Sequence, residues 1–357
     1  MKWNDRHMKT EYLQTPVRGC DFNSRRYNYR QLVKAEFCRE GERMKKYIIQ
    51  RLIQLLPILL GITLMSFLLM NTATADAIDV MESNTGRVMS EEEKDMLRQE
   101  LGLDRPLPEQ YVMWLLGVLR GDMGESFVSG QPVFSTFVSK LPATIYLTVT
   151  SILLTVLISV PLGILSAVRQ NRFLDYLIRF LSFIGNSLPN FFVSLLLIYF
   201  FSLKLKLLPV MGNTAGWKSV ILPTLTLALA MASKYTRQVR ATVLEELNKD
   251  YVLGARARGI EEKRILYFSV LKASMLTIIT LLALSIGSLL GGTAIVESIF
   301  MWDGVGKMAV DAITMRDYPV IQAYVIWMAV IYVMVNLFTD ILYHYLDPRI
   351  RLGQEEA

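Results

Sequence analysis

Long apolar runs separated by short polar turns fill most of the chain. A helix of roughly 20 apolar residues crosses a bilayer, and runs of about that length cover residues 48–70, 143–168, 176–201, 220–234, 275–295 and 320–343. The fourth run is short and is interrupted by polar residues. The pattern predicts an all-α, polytopic membrane protein with six transmembrane helices.

The composition agrees with this fold class, because 52% of the 357 residues are hydrophobic and the mean hydropathy is +0.35. A single water-soluble core rarely needs so much apolar surface. Basic residues cluster at one end of the first, second, fourth and sixth runs: Lys45, Lys46, Arg51, Arg169, Arg172, Lys234, Arg237, Arg240, Arg349 and Arg351. By the positive-inside rule, these ends and both termini are predicted to be cytoplasmic.

The polar segment after the first run, residues 71–142, then lies outside the cell. It carries twelve Asp or Glu against six Lys or Arg. Ser90 and Glu93 have the spacing of a capping box, Gly102 is a helix stop, and a second amphipathic helix is predicted from Pro108. We expect an extracytoplasmic helical insert here, which either packs as a lid or docks an outside partner.

The first 43 residues form a charged segment without an apolar run, and they contain both cysteines, Cys20 and Cys38. They lack the apolar core of a signal peptide. We hypothesise that translation begins at Met44, because "MKKYIIQRL" is an ordinary start for a first membrane helix. The predicted organisation is a leader (1–43), a first transmembrane helix (44–70), the external insert (71–142), a transmembrane core (143–345) and a cytoplasmic tail (346–357).

Residues 245–274, between the fourth and fifth runs, read as a cytoplasmic helix, turn and helix. Gly259 supplies a backbone that can turn. The small residues Ala255 and Ala257 would let another surface approach, and Arg256 would offer an ion pair. Two interpretations stay open from the residues alone: an element that inserts into another protein, or a basic loop that fixes topology or touches anionic lipid.

The stretch "DYVLGARARGI" (250–260) resembles the EAA coupling loop of ATP-binding-cassette (ABC) importer permeases. The similarity covers nearly all of residues 44–351 and is greatest to the B-type subunits of the dipeptide, oligopeptide and nickel group. Further shared motifs occur in family order: "LGLDRPL" (101–107), "GDMGESF" (121–127), "LPATIYLT" (141–148), "SLPNFF" (187–192), "GGTAIVESIFMWDGVGK" (291–307), "RDYPVIQAYV" (316–325) and "LDPRIR" (346–351).

The resemblance implies that this loop is a coupling helix seated in a groove of a cytoplasmic ATPase. The implied coupling residues are Asp250, Tyr251, Ala255, Arg256, Ala257 and Gly259. The implied partners are a homologous second permease, two ABC ATPase subunits, an extracytoplasmic solute-binding protein and membrane lipid, with no nucleic acid, in a bacterial-type inner membrane. The chain departs from the family pattern at Ser269, Lys272, Ala273, Thr277 and Asp303.

The sequence contains no phosphate-binding GxxxxGK[ST] motif; the nearest string, "MWDGVGKM", has methionine at both ends. We therefore expect no enzyme activity and no cofactor in this chain, with ATP and Mg²⁺ used by the partner ATPase. The rival class is a secondary transporter or channel that acts without ATP. A proton-coupled carrier would need ionisable groups at mid-membrane, and the acidic candidates, Glu297 and Asp340, lie toward span ends.

The predicted translocation path uses residues that interrupt or thin the third and fifth runs: Asn186, Pro189, Asn190, Gly291, Gly292 and Glu297. Close helix packing explains the glycines equally well. For the cargo, "LLPVMG" (207–212) followed by "GW" favours nickel. The chain offers no His or Cys cage in its spans, since its histidines are His7 and His344, so we expect no metal site and nickel crossing as a chelate. The alternative cargo is a dipeptide or oligopeptide.

Overall fold

The computed structural model describes residues 48–68, 78–80, 82, 86, 88–100, 102–210, 212 and 216–346. The leader, nearly all of the tail and the side chains of Asp340 and His344 lie outside this description. Regular structure in the described ranges is helical, with one isolated bridge between Glu125 and Pro132. The chain divides into two compact units, Met1–Ile58 and Leu59–Ala357, and every contact discussed below lies within the second.

Two helices of the insert (residues 71–142) follow the first long helix, α1 (Ile48–Leu68). Helix α2 (Glu91–Glu100) begins at the predicted capping box: the Ser90 N–H donates to Glu93 Oε2 (3.2 Å) and the Glu93 N–H donates to Ser90 Oγ (3.3 Å). Helix α3 (Leu107–Leu119) packs Tyr111 edge to face against Phe67 near the end of α1, with ring centroids 5.4 Å apart.

The next four helices build much of the apolar core. Helix α4 (Val133–Val168) starts ten residues before the predicted second span, because Val133 and Phe137 are buried in an apolar cluster with Val305 and Met308. Helices α5 (Phe173–Ser187) and α6 (Asn190–Leu197, continued by a π-helical turn over Ile198–Lys204) are separated by a sharp break. Helix α7 (Ile221–Leu247) packs along α4.

A short hairpin and three further helices complete the described part of the chain. The hairpin consists of α8 (Asp250–Ala257) and α9 (Glu262–Ile265), the latter continued by a π-helical turn over Leu266–Val270. Helix α10 (Leu271–Ile299) is followed by α11 (Val305–Met315) and α12 (Tyr318–Leu346). The all-α prediction is confirmed in the described residues.

The membrane-crossing helices are fewer than the six predicted runs. By length and composition, α1, Val133–Val168 and Tyr318–Thr339 can span a membrane, and Phe173–Ser187 with Asn190–Lys204 qualifies as one span bent by 102°. Helices α7 and α10, which contain runs four and five, do not qualify among the described residues. In α7, Lys234 and Arg237 lower the mean hydropathy of the helix. Several α10 side chains lie outside the description, so the count of six stays a prediction.

Candidate functional site

The hairpin, defined here as residues 250–270, turns through a Schellman motif at the end of α8. Gly259 has φ +73°, a left-handed conformation that glycine adopts without the Cβ penalty of other residues. Its N–H donates to the Arg256 carbonyl (2.9 Å), and the Ile260 N–H donates to the Ala255 carbonyl (3.2 Å). These two bonds pair carbonyls that a helix end otherwise leaves free.

One face of the hairpin is packed against the rest of the chain. Val252 and Ala255 are buried in a cluster with Val239 and Val243 of α7 and with Ile265. The expectation that Ala255 presents a small side chain to a partner is therefore corrected: its methyl group is covered by the chain's own helices. This packing joins the hairpin directly to α7.

The opposite face is open and carries both apolar and charged groups. Asp250, Tyr251, Arg256, Ala257 and Gly259, five of the six predicted coupling residues, are exposed there. Large apolar side chains of the hairpin are exposed as well: Leu253, Ile260, Tyr267 and Phe268. Sequence reasoning missed these four, although their apolar character in a polar loop was a usable signal.

An ion pair braces the two arms of the hairpin across the Gly259 turn. Arg256 donates to Glu262 through Nε (2.6 Å to Oε1) and through a terminal nitrogen (3.2 Å to Oε2). The guanidinium holds the pKa of the Glu262 carboxyl below its usual value. Because a depressed carboxyl pKa contributes stability that is lost only as the pH falls through it, the pair is intact at neutral pH.

A cavity of about 130 Å³ lies where α6, α7 and α10 meet, and we call it the inner cavity. Its lining residues are Asn190, Leu227, Ala230, Met231, Lys234, Tyr235, Leu289 and Gly292. Two predicted path residues, Asn190 and Gly292, are thus brought together. Asn186, Pro189 and Gly291 are exposed on the same helices or at the break but do not line this cavity.

Lys234 was interpreted from the sequence as a charge that ends the fourth span. The structure instead places it in the middle of α7, on the wall of the inner cavity. The apolar run stops at this residue, but the helix does not. The signal that could have located it is the three-residue spacing of Lys234, Arg237 and Arg240, which puts all three toward one side of a continuing helix.

Glu297, another predicted path residue, does not line the inner cavity. It is fully buried in α10, and its Oε2 accepts the N–H of Lys307 (3.0 Å) in the first turn of α11. Thr144 Oγ1 accepts the neighbouring N–H of Val305 (2.9 Å). The two side chains together cap α11, since the first N–H groups of a helix lack partners within it.

A second cavity of about 470 Å³, lined by Tyr176, Arg179, Phe180, Phe183, Arg237 and Arg240, lies between α5 and α7. Asp175 is buried beside it and accepts hydrogen bonds from Arg240 Nε (2.7 Å) and a terminal nitrogen of Arg240 (2.8 Å). This bidentate pair ties the start of α5 to the C-terminal half of α7. Within the described residues, no cluster of three or more His, Cys, Asp or Glu could hold a metal ion.

Comparison with protein families gives two adjoining matches. Residues 159–352 match the family described as "Binding-protein-dependent transport system inner membrane component". Residues 44–148 match the family described as its N-terminal membrane component. The first match covers more than half of the chain.

Several characterised proteins are similar along almost their whole length. The oligopeptide transport system permease protein AppB of Bacillus subtilis (strain 168) is 40% identical over 317 residues. The glutathione transport system permease protein GsiC is 37% identical over 313 residues in Salmonella paratyphi A and 36% over 308 residues in Escherichia coli (strain K12). Each alignment covers 86% of this chain and 99% of the relative.

One solved structure is similar in fold. A chain of the MetNI methionine ABC transporter in an inward-facing conformation superposes with a TM-score of 0.51 at 15% identity. The match covers 59% of this chain and 96% of that chain. At this identity the likeness shows the fold alone.

Proposed function

Because the chain belongs to the family of binding-protein-dependent transport system inner membrane components, we propose that it carries peptides across the bacterial inner membrane as one permease subunit of an ABC importer. The membership confirms the resemblance and gives the permease role directly. The peptide cargo is the proposal. The observation that carries it is the 36–40% identity to oligopeptide and glutathione permeases over nearly their full length, since both cargoes are peptides.

The expectation of nickel as cargo is not supported by these relatives. It depended on one stretch, residues 186–217, whereas the similarity to peptide permeases extends over 86% of the chain.

The hairpin supports a mechanism in which ATP hydrolysis elsewhere moves the membrane helices. Its exposed face offers apolar groups and arginines to a cytoplasmic partner, while its buried face, through Val252 and Ala255, is fixed to α7. A force on the exposed face is therefore transmitted to the helix that lines the inner cavity. We propose that two ATPase subunits, a second permease and an external solute-binding protein complete the assembly.

The cargo is tested by reconstituting the assembled transporter in proteoliposomes with its solute-binding protein and internal ATP. We expect uptake of a radiolabelled tripeptide that stops when ATP is withheld, and no uptake of radioactive nickel with or without free histidine as a chelator. Nickel uptake without peptide uptake would overturn the peptide proposal. Peptide uptake that persists without ATP, driven by a proton gradient, would overturn the coupling mechanism.

A further inference from the structure

Lys234 is a cation at the centre of the long helix α7. It lies thirteen residues from either end of α7 (Ile221–Leu247), which is about 20 Å along the helix axis. Its side chain is exposed at the inner cavity and has no ion pair among the residues that the structure describes. Charged residues in membrane helices are usually functional and face a water-filled path or a partner.

The surroundings of Lys234 lack the negative charge that would neutralise it. The other residues lining the inner cavity are apolar except for Asn190 and Tyr235. One helical turn toward the cytoplasm, Arg237 lines the second cavity and likewise has no ion pair within the described ranges. Arg240 follows and is paired with Asp175. Two uncompensated positive charges therefore lie in succession along α7, facing cavities.

The ligand that these cations suit is a carboxylate. Lys234 is a strong donor to a carboxylate, and the Asn190 amide can add a neutral hydrogen bond. The inner cavity, at about 130 Å³, holds the equivalent of about four water molecules at roughly 30 Å³ each. This is room for the charged end of a peptide and not for a whole peptide.

We propose that Lys234 binds the C-terminal carboxylate of a peptide in transit and so selects substrates with a free C-terminus. The proposal rests on the peptide function proposed above. Arg237, one turn further along α7, is the next cation that the same carboxylate meets on its way to the cytoplasm. The permease thereby recognises the one charged group that every unmodified peptide carries at its C-terminal end.

The test compares two labelled substrates, a tripeptide and the same tripeptide with a C-terminal carboxamide, in the reconstituted transporter with saturating solute-binding protein. The same binding protein delivers both peptides to every variant, so its own preference cancels when a variant is compared with the wild type. We expect Lys234→Gln to lower uptake of the acid about tenfold, which is the range for losing a charge-assisted hydrogen bond, and to leave uptake of the amide within about twofold.

Lys234→Arg keeps the charge and is expected to retain most of the acid uptake. The matched control is Lys204→Gln, which removes a lysine at the end of the bent pair, where it lies 5.9 Å from the Phe200 ring and outside both cavities. The control should transport both peptides as the wild type does. Unchanged acid uptake in Lys234→Gln, or an equal loss of acid and amide uptake, would overturn the proposal. Absence of any peptide uptake in the wild type would instead refute the proposed function.

A second measurement covers the case in which Lys234→Gln fails to assemble. Lys234→Cys, in a chain whose Cys20 and Cys38 are replaced by Ser, is labelled with a negatively charged methanethiosulfonate reagent during turnover. We expect labelling that the acid peptide slows at least several-fold more than the amide peptide does. A thiol that is never labelled, or is protected equally by both peptides, would show that residue 234 does not meet the carboxylate.

Discussion

Gly306 occupies a point where α11 crosses α10 too closely for any side chain. A Cβ atom at this position would lie 2.6 Å from the Ala294 Cα and 2.8 Å from Glu297 Oε2. Gly304 is as confined, since its Cβ would lie 2.4 Å from the same Glu297 oxygen. The short approach is what lets the buried Glu297 carboxylate reach the backbone of α11.

Replacing Gly306 by Ala should therefore destabilise the protein. The added methyl group must push α11 away from α10, and overpacking of this kind costs about 1–3 kcal/mol. We expect a lower thermal midpoint in detergent and less protein in the membrane. Gly291→Ala is the matched control, because a Cβ at that position of α10 meets no atom within 4 Å. Equal midpoints for the two variants would contradict the close approach.

At the scale of single residues, the sequence showed which side chains are chemically unusual more readily than it showed which groups they contact. Glu297 was correctly singled out as an unusual acid in an apolar helix. Its contacts, the Lys307 N–H and the α11 turn that Thr144 also caps, depend on how α4 and α11 pack around α10. No local pattern encodes that packing, so a capping residue was interpreted as part of the path.

At the scale of elements, the hairpin was the most predictable part of the site. Helix-forming residues on both sides of Gly259, with a glycine at the position of a left-handed turn, are a local signal. The local sequence does not indicate which face of the hairpin points inward. Ala255 was assigned to the exposed face, but Val252 and Ala255, three residues apart, share the side that packs on α7.

Gly259→Pro should leave membrane insertion intact and abolish peptide uptake. Proline fixes φ near −65° and lacks the N–H that Gly259 donates to Arg256, so the turn cannot form and the exposed face is redirected. Uptake by the reconstituted transporter and co-purification with the ATPase subunits are the measurements, and both should be lost. Gly259→Asn tolerates the left-handed conformation and should retain most uptake. Normal uptake by the Pro variant would refute the coupling role of the hairpin.

The ends of the membrane helices were predictable only where a helix begins and ends with its apolar run. Helix α4 begins at Val133, before its apolar run, because buried contacts of Phe137 extend it. Helix α7 continues past its run through Lys234 and Arg237. Buried tertiary contacts in α4 and the two cavities along α7 lie at these extra turns, and hydropathy alone does not report them.

At the scale of the whole molecule, a buried carboxylate helps to tie the insert of residues 71–142 to the membrane core. Asp317, just before α12, accepts the Ser126 hydroxyl at Oδ2 (2.5 Å) and the Phe127 N–H at Oδ1 (3.1 Å). These residues are about 190 positions apart in the sequence. The link holds the loop of residues 121–132 against the start of the last long helix, and the motifs "GDMGESF" and "RDYPVIQAYV" thus meet at this bond.

Asp317→Ala should release this loop without unfolding the membrane core. The change leaves the Ser126 hydroxyl and the Phe127 N–H without their acceptor, at a cost of about 1–3 kcal/mol. We expect faster hydrogen exchange in residues 121–132, by about tenfold or more. In the orientation and assembly that we propose, the insert faces the side from which a solute-binding protein delivers its cargo. Stimulation of the partner ATPase by that protein should therefore fall, while the basal ATPase rate persists.

Asp311→Ala is the control, because it removes the same charge from a half-exposed pair with Lys307 on the surface of α11, where such pairs contribute little. Faster exchange with full stimulation would assign the link to stability alone, and unchanged exchange would contradict the link itself.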